Sequence, residues 1–306
     1  MWSTFRLTSV LAAFALWLPV LAWSADERRA LVIGNGNYVH GQRLANTLND
    51  AADMCQVLKQ LGYETDCFVN VQDKTAFEAR VQEFVARLNP QSKGLFYYAG
   101  HAVQLNGESY LVPVQAEVRN AADVRRELLP VQQVLDLLKA AGNSFNMVVL
   151  DACRDDLFAE APVVAAASGR GILTARKSPE AAGEQAVAYG LATIRDAPVG
   201  SIVLYATASR EAAYDGDGRN GPLTKHLLAH IREPGIPVEE LIKRVTVGVQ
   251  TETKRAFGRR QTPFVYSSFT GEFCFADCTP PVNQRDVERS REQAKPWPQV
   301  HVPPSL

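Results

Sequence analysis

Neither positive nor negative charge is in excess in this chain. Its 306 residues carry 32 Lys and Arg against 33 Asp and Glu, a formal net charge of −1. No stretch of basic residues is interleaved with aromatics. Neither nucleic acid nor an anionic membrane would find a field to respond to, so neither is expected as a partner. Cysteine is scarce too, with five residues and no Cys-x-x-Cys pair among them, which leaves a thiol redox protein without its motif. The apolar run from Leu7 to Ala22 is 16 residues, short of the roughly 20 that cross a bilayer as a helix. Gly34-Asn35-Gly36-Asn37 starts like a dinucleotide turn, but Val39 stands where the third glycine belongs. Asp215-Gly216-Asp217-Gly218-Arg219-Asn220-Gly221 starts like a calcium loop, yet Arg219 and His226 occupy the fifth and twelfth positions, which need oxygen ligands.

Two of these sparse features carry information about compartment. Arg6 followed by Leu7–Ala22, then Ala22-Trp23-Ser24 with small residues at the two positions a signal peptidase reads, makes residues 1–24 a secretory signal. An uncleaved anchor is the alternative. With cleavage the mature chain begins near Ala25, is periplasmic or secreted, and retains no membrane span. In an oxidising compartment five cysteines divide as four plus one. Cys55, Cys67, Cys274 and Cys278 allow three pairings, of which the sequence-local one, 55 with 67 and 274 with 278, is the simplest. Cys153 is then the free thiol. Cys274 and Cys278 have no His or second Cys pair nearby to complete a zinc site, so no metal is expected there.

A hydrophobic fraction of 46% with 21% charged residues is ordinary globular composition. Short apolar strands alternate with amphipathic helices, which predicts an α/β fold with a parallel-rich sheet of about six strands and helices on both faces. One domain over 25–278 accounts for the pattern. Asn49 or Asp50 is read as the cap of the first helix, which Gly62 ends. Residues 159–190, rich in Ala, Gly and Ser, read as a long mobile loop. The Pro- and charge-rich stretch 279–306 reads as a disordered tail.

Two of the strands run straight into reactive side chains. Leu95-Phe96-Tyr97-Tyr98-Ala99-Gly100 leads to His101, and Met147-Val148-Val149-Leu150-Asp151-Ala152 leads to Cys153. Functional groups of open α/β sheets collect beyond the carboxyl ends of the strands. Parallel neighbours would bring the imidazole and the thiol together, and a thiol beside an imidazole supplies a nucleophilic thiolate near neutral pH. Taken singly, each residue is also at home in a core. Cys153, however, sits among Asp151, Arg154, Asp155 and Asp156, an unusual setting for a core thiol.

Tyr97-Tyr98-Ala99-Gly100-His101, followed 52 positions later by Cys153 within Asp151-Ala152-Cys153-Arg154, resembles the caspase catalytic domain, whose His lies about 50 residues upstream of its Cys. Asp151, where caspases carry Gln, is similar to the bacterial metacaspase-like, or orthocaspase, branch. The resemblance also takes in Ala30–Asn35, Leu44–Ala51 and Asp215–Pro222, and covers roughly residues 28 to 275. It implies a caspase-like three-layer fold and an endopeptidase acting on polypeptides, with Cys153 attacking the scissile carbonyl and His101 handling the proton. It also implies an oxyanion hole made by the backbone N–H groups of Cys153 and of Ala102, which replaces the family's Gly. Asp151 either orients the turn after its strand or, with Asp215 (Asp217 as the alternative), selects a P1 Arg or Lys by charge. Self-cleavage after Arg170, Arg176 or Lys177 in the long loop follows from the same resemblance. No cofactor is required, and a calcium requirement of the metacaspase kind stays open, as does the oligomeric state. The rival reading is a catalytically silent caspase-like domain that binds or scaffolds.

Overall fold

Alternating apolar residues along four neighbouring strands build two cores at once in this protein. The structure, a computed structural model, describes residues 27–153, 187–189, 197–207, 213–216 and 218–279. Residues 1–24, read above as a signal, nearly all of 279–306, Asp217 and the candidate cleavage residues Arg170, Arg176 and Lys177 lie outside them.

The first half of the chain forms β1 (Arg28–Gly34), α1 (Thr47–Gln60), β2 (Glu64–Val69), α2 (Lys74–Val85), β3 (Lys93–Leu105) and β4 (Glu108–Leu111). There follow α3 (Ala121–Glu127), β5 (Leu129–Pro130), α4 (Val131–Ala141) and β6 (Phe145–Cys153). The remainder gives β7 (Val187–Tyr189), β8 (Ser201–Tyr205), α5 (Pro222–His230), α6 (Val238–Phe257) and β9 (Phe264–Ser267). The main sheet runs in the order β2-β1-β3-β6-β8-β9. Its strands are parallel except β9, which closes one edge antiparallel to β8.

Strand side chains alternate between faces. Ala30, Val32, Leu95, Tyr97, Met147, Val149, Ile202 and Leu204 enter one core, where Met54 and Leu58 of α1, Leu223 and Leu227 of α5, and Val245 and Val249 of α6 meet them. Leu31, Ile33, Phe96, Tyr98, Val148, Leu150 and Val203 enter the other, against Phe77 and Phe84 of α2 and Val134 and Leu138 of α4. Burying each Leu, Ile, Val, Phe or Met among them contributes about 1.5–3 kcal/mol, before the loss of conformational entropy. Gly34 lets α1 come close. A Cβ there would sit 2.5 Å from the Ala51 Cβ and 2.7 Å from the Thr47 carbonyl oxygen. That close approach brings the first turns of α1 to the carboxyl end of the sheet.

Two expectations need correction. The first helix begins at Thr47 with Asn46 at its cap position, so Asn49 and Asp50 lie inside it. Their side chains are engaged by a distant segment instead: Asn49 Nδ2 donates to the Arg219 carbonyl, and the Gly221 N–H donates to Asp50. The second correction concerns the loop read over 159–190, because Val187–Tyr189 forms β7, antiparallel to Val103–Leu105. β3 outruns its parallel neighbours, and the backbone groups along its projecting edge need partners. The short helix α3 was also not foreseen. Asn120 and Asp123 form a capping box at its start, with Asp in the place where Glu or Gln usually signals one.

Cys55 of α1 is paired with Cys67 of β2 at a Cα separation of 6.1 Å, and Cys274 with Cys278 at 5.2 Å, both within the usual disulfide range. Glu272, Cys274 and Cys278 form a three-donor cluster among the described residues. With its two sulfurs joined to each other, that cluster offers only a carboxylate. Among the described residues no helix is long and apolar enough to cross a membrane.

Candidate active site

The register of the central ladder decides where the two reactive residues stand. β3 and β6 run parallel, and His101 is the Cα partner of Cys153 at the last pair of the ladder. The structure therefore brings the two together at the carboxyl end of the sheet. His101 is fully buried, and its Nε2 lies 2.8 Å from the Gln42 carbonyl oxygen. A carbonyl oxygen only accepts, so Nε2 carries a proton, and in the neutral ring the lone pair is then on Nδ1. The orientation of the imidazole is thus set by a backbone group in the segment between β1 and α1.

Ala102, the expected second oxyanion donor, is extended within β3 and is not among the residues of positive φ. Replacing Gly by Ala here costs nothing in backbone strain. Ala102 pairs with Leu111 of β4, and the Val112 N–H bonds to the His101 carbonyl. That pattern makes Ala102–Leu111 the non-hydrogen-bonded kind of antiparallel pair. Its N–H consequently faces the other edge of β3, the side on which β6 lies.

Three carboxylates gather beside this edge. Asp151, two residues before Cys153, is buried and accepts from Thr224 Oγ1 at 2.6 Å. Tyr97 Oη lies 2.5 Å from the same Thr224 oxygen, so a relay runs from Tyr97 through Thr224 to Asp151. Thr224 is in the first turn of α5, where free N–H groups favour a negative charge. Asp151 therefore ties the end of β6 to the start of α5. Asp215 is half-buried; its Oδ2 accepts the Ala45 N–H at 3.1 Å and its carbonyl accepts from Asn46 Nδ2 at 2.5 Å. Asp50 completes the group. A point one Cβ-length off Gly221 lies 3.4 Å from Asp50 Oδ2 and 3.6 Å from Asp151 Oδ2. The 215–221 segment is tied down by Arg219, which donates twice to Asp53 of α1 at 2.8 Å, and by Asn220 at 2.9 Å from the same carboxylate.

Burial pushes both inner carboxyls up. Asp50 rises to about 8, through desolvation first and then the charge of Asp151. Asp151 rises to about 6 through desolvation, against the two hydrogen bonds from Thr224 that hold it down, with the charge of Asp215 adding to the rise. Each carboxyl therefore binds its proton more tightly here than in water. For stability the sign is the reverse of a salt-bridged acid. The contribution is complete below the ordinary carboxyl range and is lost as pH rises through about 6 and about 8. Relative to wild type, the melting temperature of Asp50→Asn should therefore climb steadily between about pH 5 and about pH 8. A difference that does not change with pH would mean that Asp50 ionises as an ordinary carboxyl.

Asp50, Thr224 and Gln42 were not anticipated from sequence as site residues. Asp50 did leave a trace: it stands on the same stripe as Met54, Val57 and Leu58, all buried, where a charged residue is out of place. Gln42 leaves none, because it acts through its main chain.

A caspase domain family model matches residues 27–274. Over 132 residues the chain is 35% identical to "Mucosa-associated lymphoid tissue lymphoma translocation protein 1" of Homo sapiens, a match covering 42% of this chain and 15% of that protein. It is 33% identical over the same length to the Mus musculus homolog, with the same coverage. The match thus spans only about 15% of the length of these curated relatives. Among solved structures, caspase-1 from Spodoptera frugiperda superposes with a TM-score of 0.55 at 14% identity, covering 82% of this chain and 92% of that one. At that identity the likeness speaks for the fold.

Proposed function

The chain belongs to the caspase domain family, and from that premise we propose that it is an exported cysteine endopeptidase cutting polypeptides after Arg or Lys. The observation that carries the reading is the pairing of His101 with Cys153 at the end of the β3–β6 ladder, beside three acids. In the proposed reaction Nδ1 of His101 takes the Cys153 thiol proton and the thiolate attacks the scissile carbonyl carbon. The oxyanion is received by the N–H groups of Ala102 and Cys153. The imidazolium then protonates the leaving amine as the C–N bond breaks. Water, deprotonated by the same imidazole, then adds to the thioester carbonyl; the C–S bond breaks, and the imidazolium returns its proton to the Cys153 thiolate as the carboxyl product leaves.

Asp151, Asp50 and Asp215 would take the P1 cation. A guanidinium entering among them replaces protons with a fixed positive charge, whereas a P1 carboxylate would add a fourth negative group to a buried cluster. Charge selection of this kind rejects the wrong partner by several kcal/mol. No step requires a metal, and a role for calcium elsewhere on the surface is left to the test below. The one sequence feature in favour of the rival reading, a silent binding domain, is Ala102 in place of the family's Gly, and the extended backbone there leaves its N–H available as a donor.

A panel of fluorogenic peptides varied at P1, with and without calcium, tests the assignment. Turnover with Arg and Lys and little with Asp supports it, and preference for Asp overturns it. An enzyme of that specificity should also cut its own chain after Arg170, Arg176 or Lys177, since a tethered substrate is present at high effective concentration. Sequencing new N-termini from wild type incubated beside Cys153→Ala checks this. An active wild-type chain that stays intact would contradict it.

A further inference from the structure

Two tyrosine hydroxyls enclose the backbone of His101. The His101 N–H donates to Tyr38 Oη at 2.7 Å. Tyr98 Oη donates to the His101 carbonyl at 2.7 Å and also lies 3.2 Å from the Val112 carbonyl. The two hydroxyl oxygens are 3.3 Å apart. Proton accounting fixes the direction of that last contact. Carbonyls only accept, so the single Tyr98 proton is committed to them, and the proton between the hydroxyls is Tyr38's. A closed circuit results, from His101 N–H to Tyr38, from Tyr38 to Tyr98, and from Tyr98 back to the His101 carbonyl.

The surroundings are built for this circuit. β1 ends opposite Ala99, at Gly34, so the strand that would have paired with His101 on this side is no longer there. Tyr38 supplies the acceptor instead, and its ring lies 4.4 Å from the imidazole, tilted by 51°. Tyr38, Tyr98 and His101 are all buried. At Gly100 a Cβ would come within 2.5 Å of Tyr98 Oη and 2.6 Å of Tyr38 Oη. Glycine at that position is what admits both hydroxyls. Phenylalanine would fill the same core volume, so packing alone does not account for the oxygens.

The geometry points to Tyr38 and Tyr98 as positioning residues that set the height and tilt of the His101 ring and hold it in its Nε2–H tautomer. Tyr38 and Gln42 belong to one segment, which therefore fixes the main chain of His101 with a hydroxyl and its ring with a carbonyl. The inference rests on the peptidase reading for its kinetic consequence only. Its structural consequence can be read without turnover.

The test uses the full chain labelled with 15N-histidine, with the His101 signal assigned by its loss in His101→Asn. Wild type should show one imidazole in the Nε2–H form. Tyr38→Phe and Tyr98→Phe should each give a mixed tautomer signal, lower kcat on a P1 Arg peptide by about 10- to 100-fold, and leave KM within about twofold. Tyr98→Phe keeps the contact to the His101 N–H and serves where Tyr38→Phe fails to fold. Variants that retain both the tautomer and kcat overturn the proposal, as does a fall in kcat with the tautomer signal unmoved. A wild type without turnover overturns the peptidase reading instead, and the tautomer comparison still decides the role of the tyrosines.

Discussion

Removing either member of the dyad is expected to stop turnover. Cys153→Ala and His101→Ala should each lower kcat by about 1,000-fold or more, because nucleophile and base act as one unit and the loss of either disables both. The double variant should be little worse than the single ones. Melting temperatures must be recorded alongside, since His101 is fully buried and its backbone is held by two tyrosines. Alanine keeps the main-chain hydrogen bonds, so the His101→Ala fold should survive. Turnover near wild type in either variant would rule out the mechanism.

The second large effect belongs to Asp151. Asp151→Asn should cut kcat/KM for P1 Arg and Lys peptides by about 100-fold or more, the range observed when one partner of a desolvated charge pair is removed. The amide retains an oxygen for the Thr224 hydroxyl, so the relay from Tyr97 and the start of α5 should stay in place. Peptides with a neutral P1 residue, poor substrates of the wild type, should change far less. Asp215→Asn is expected to act in the same direction but more weakly, because Asp215 is half-buried and still reached by solvent. Equal losses on basic and neutral P1 peptides would make Asp151 a structural residue only.

Much of this site could be read from sequence because the chain announces it locally. Two short apolar runs, each ending in one reactive residue, predict buried parallel strands, and β3 and β6 are such strands with His101 and Cys153 in register. Asp151 was visible through its place two residues before the thiol. What was not visible comes together through tertiary structure. Asp50 looks like a helix cap until the 215–221 segment claims it. Gln42 acts through a carbonyl that every residue possesses. Tyr38 and Tyr98 look like core aromatics, and only their hydroxyl contacts distinguish them. β7 is three residues long in an Ala- and Gly-rich stretch, and it exists because the projecting edge of β3 offers it partners. Periodicity cannot report a strand created by its neighbour.

If Cys153 is a nucleophile served by a site selective for basic P1 side chains, it should react selectively with a matched electrophile. Incubating the protein with a P1 Arg peptide bearing a thiol-reactive electrophile, followed by intact mass and peptide mapping, tests it most directly. One adduct per chain is expected, located on Cys153, absent from Cys153→Ala and formed far more slowly with the P1 Asp analogue. A chain that stays unlabelled, or that labels equally well with the P1 Asp analogue, would contradict it.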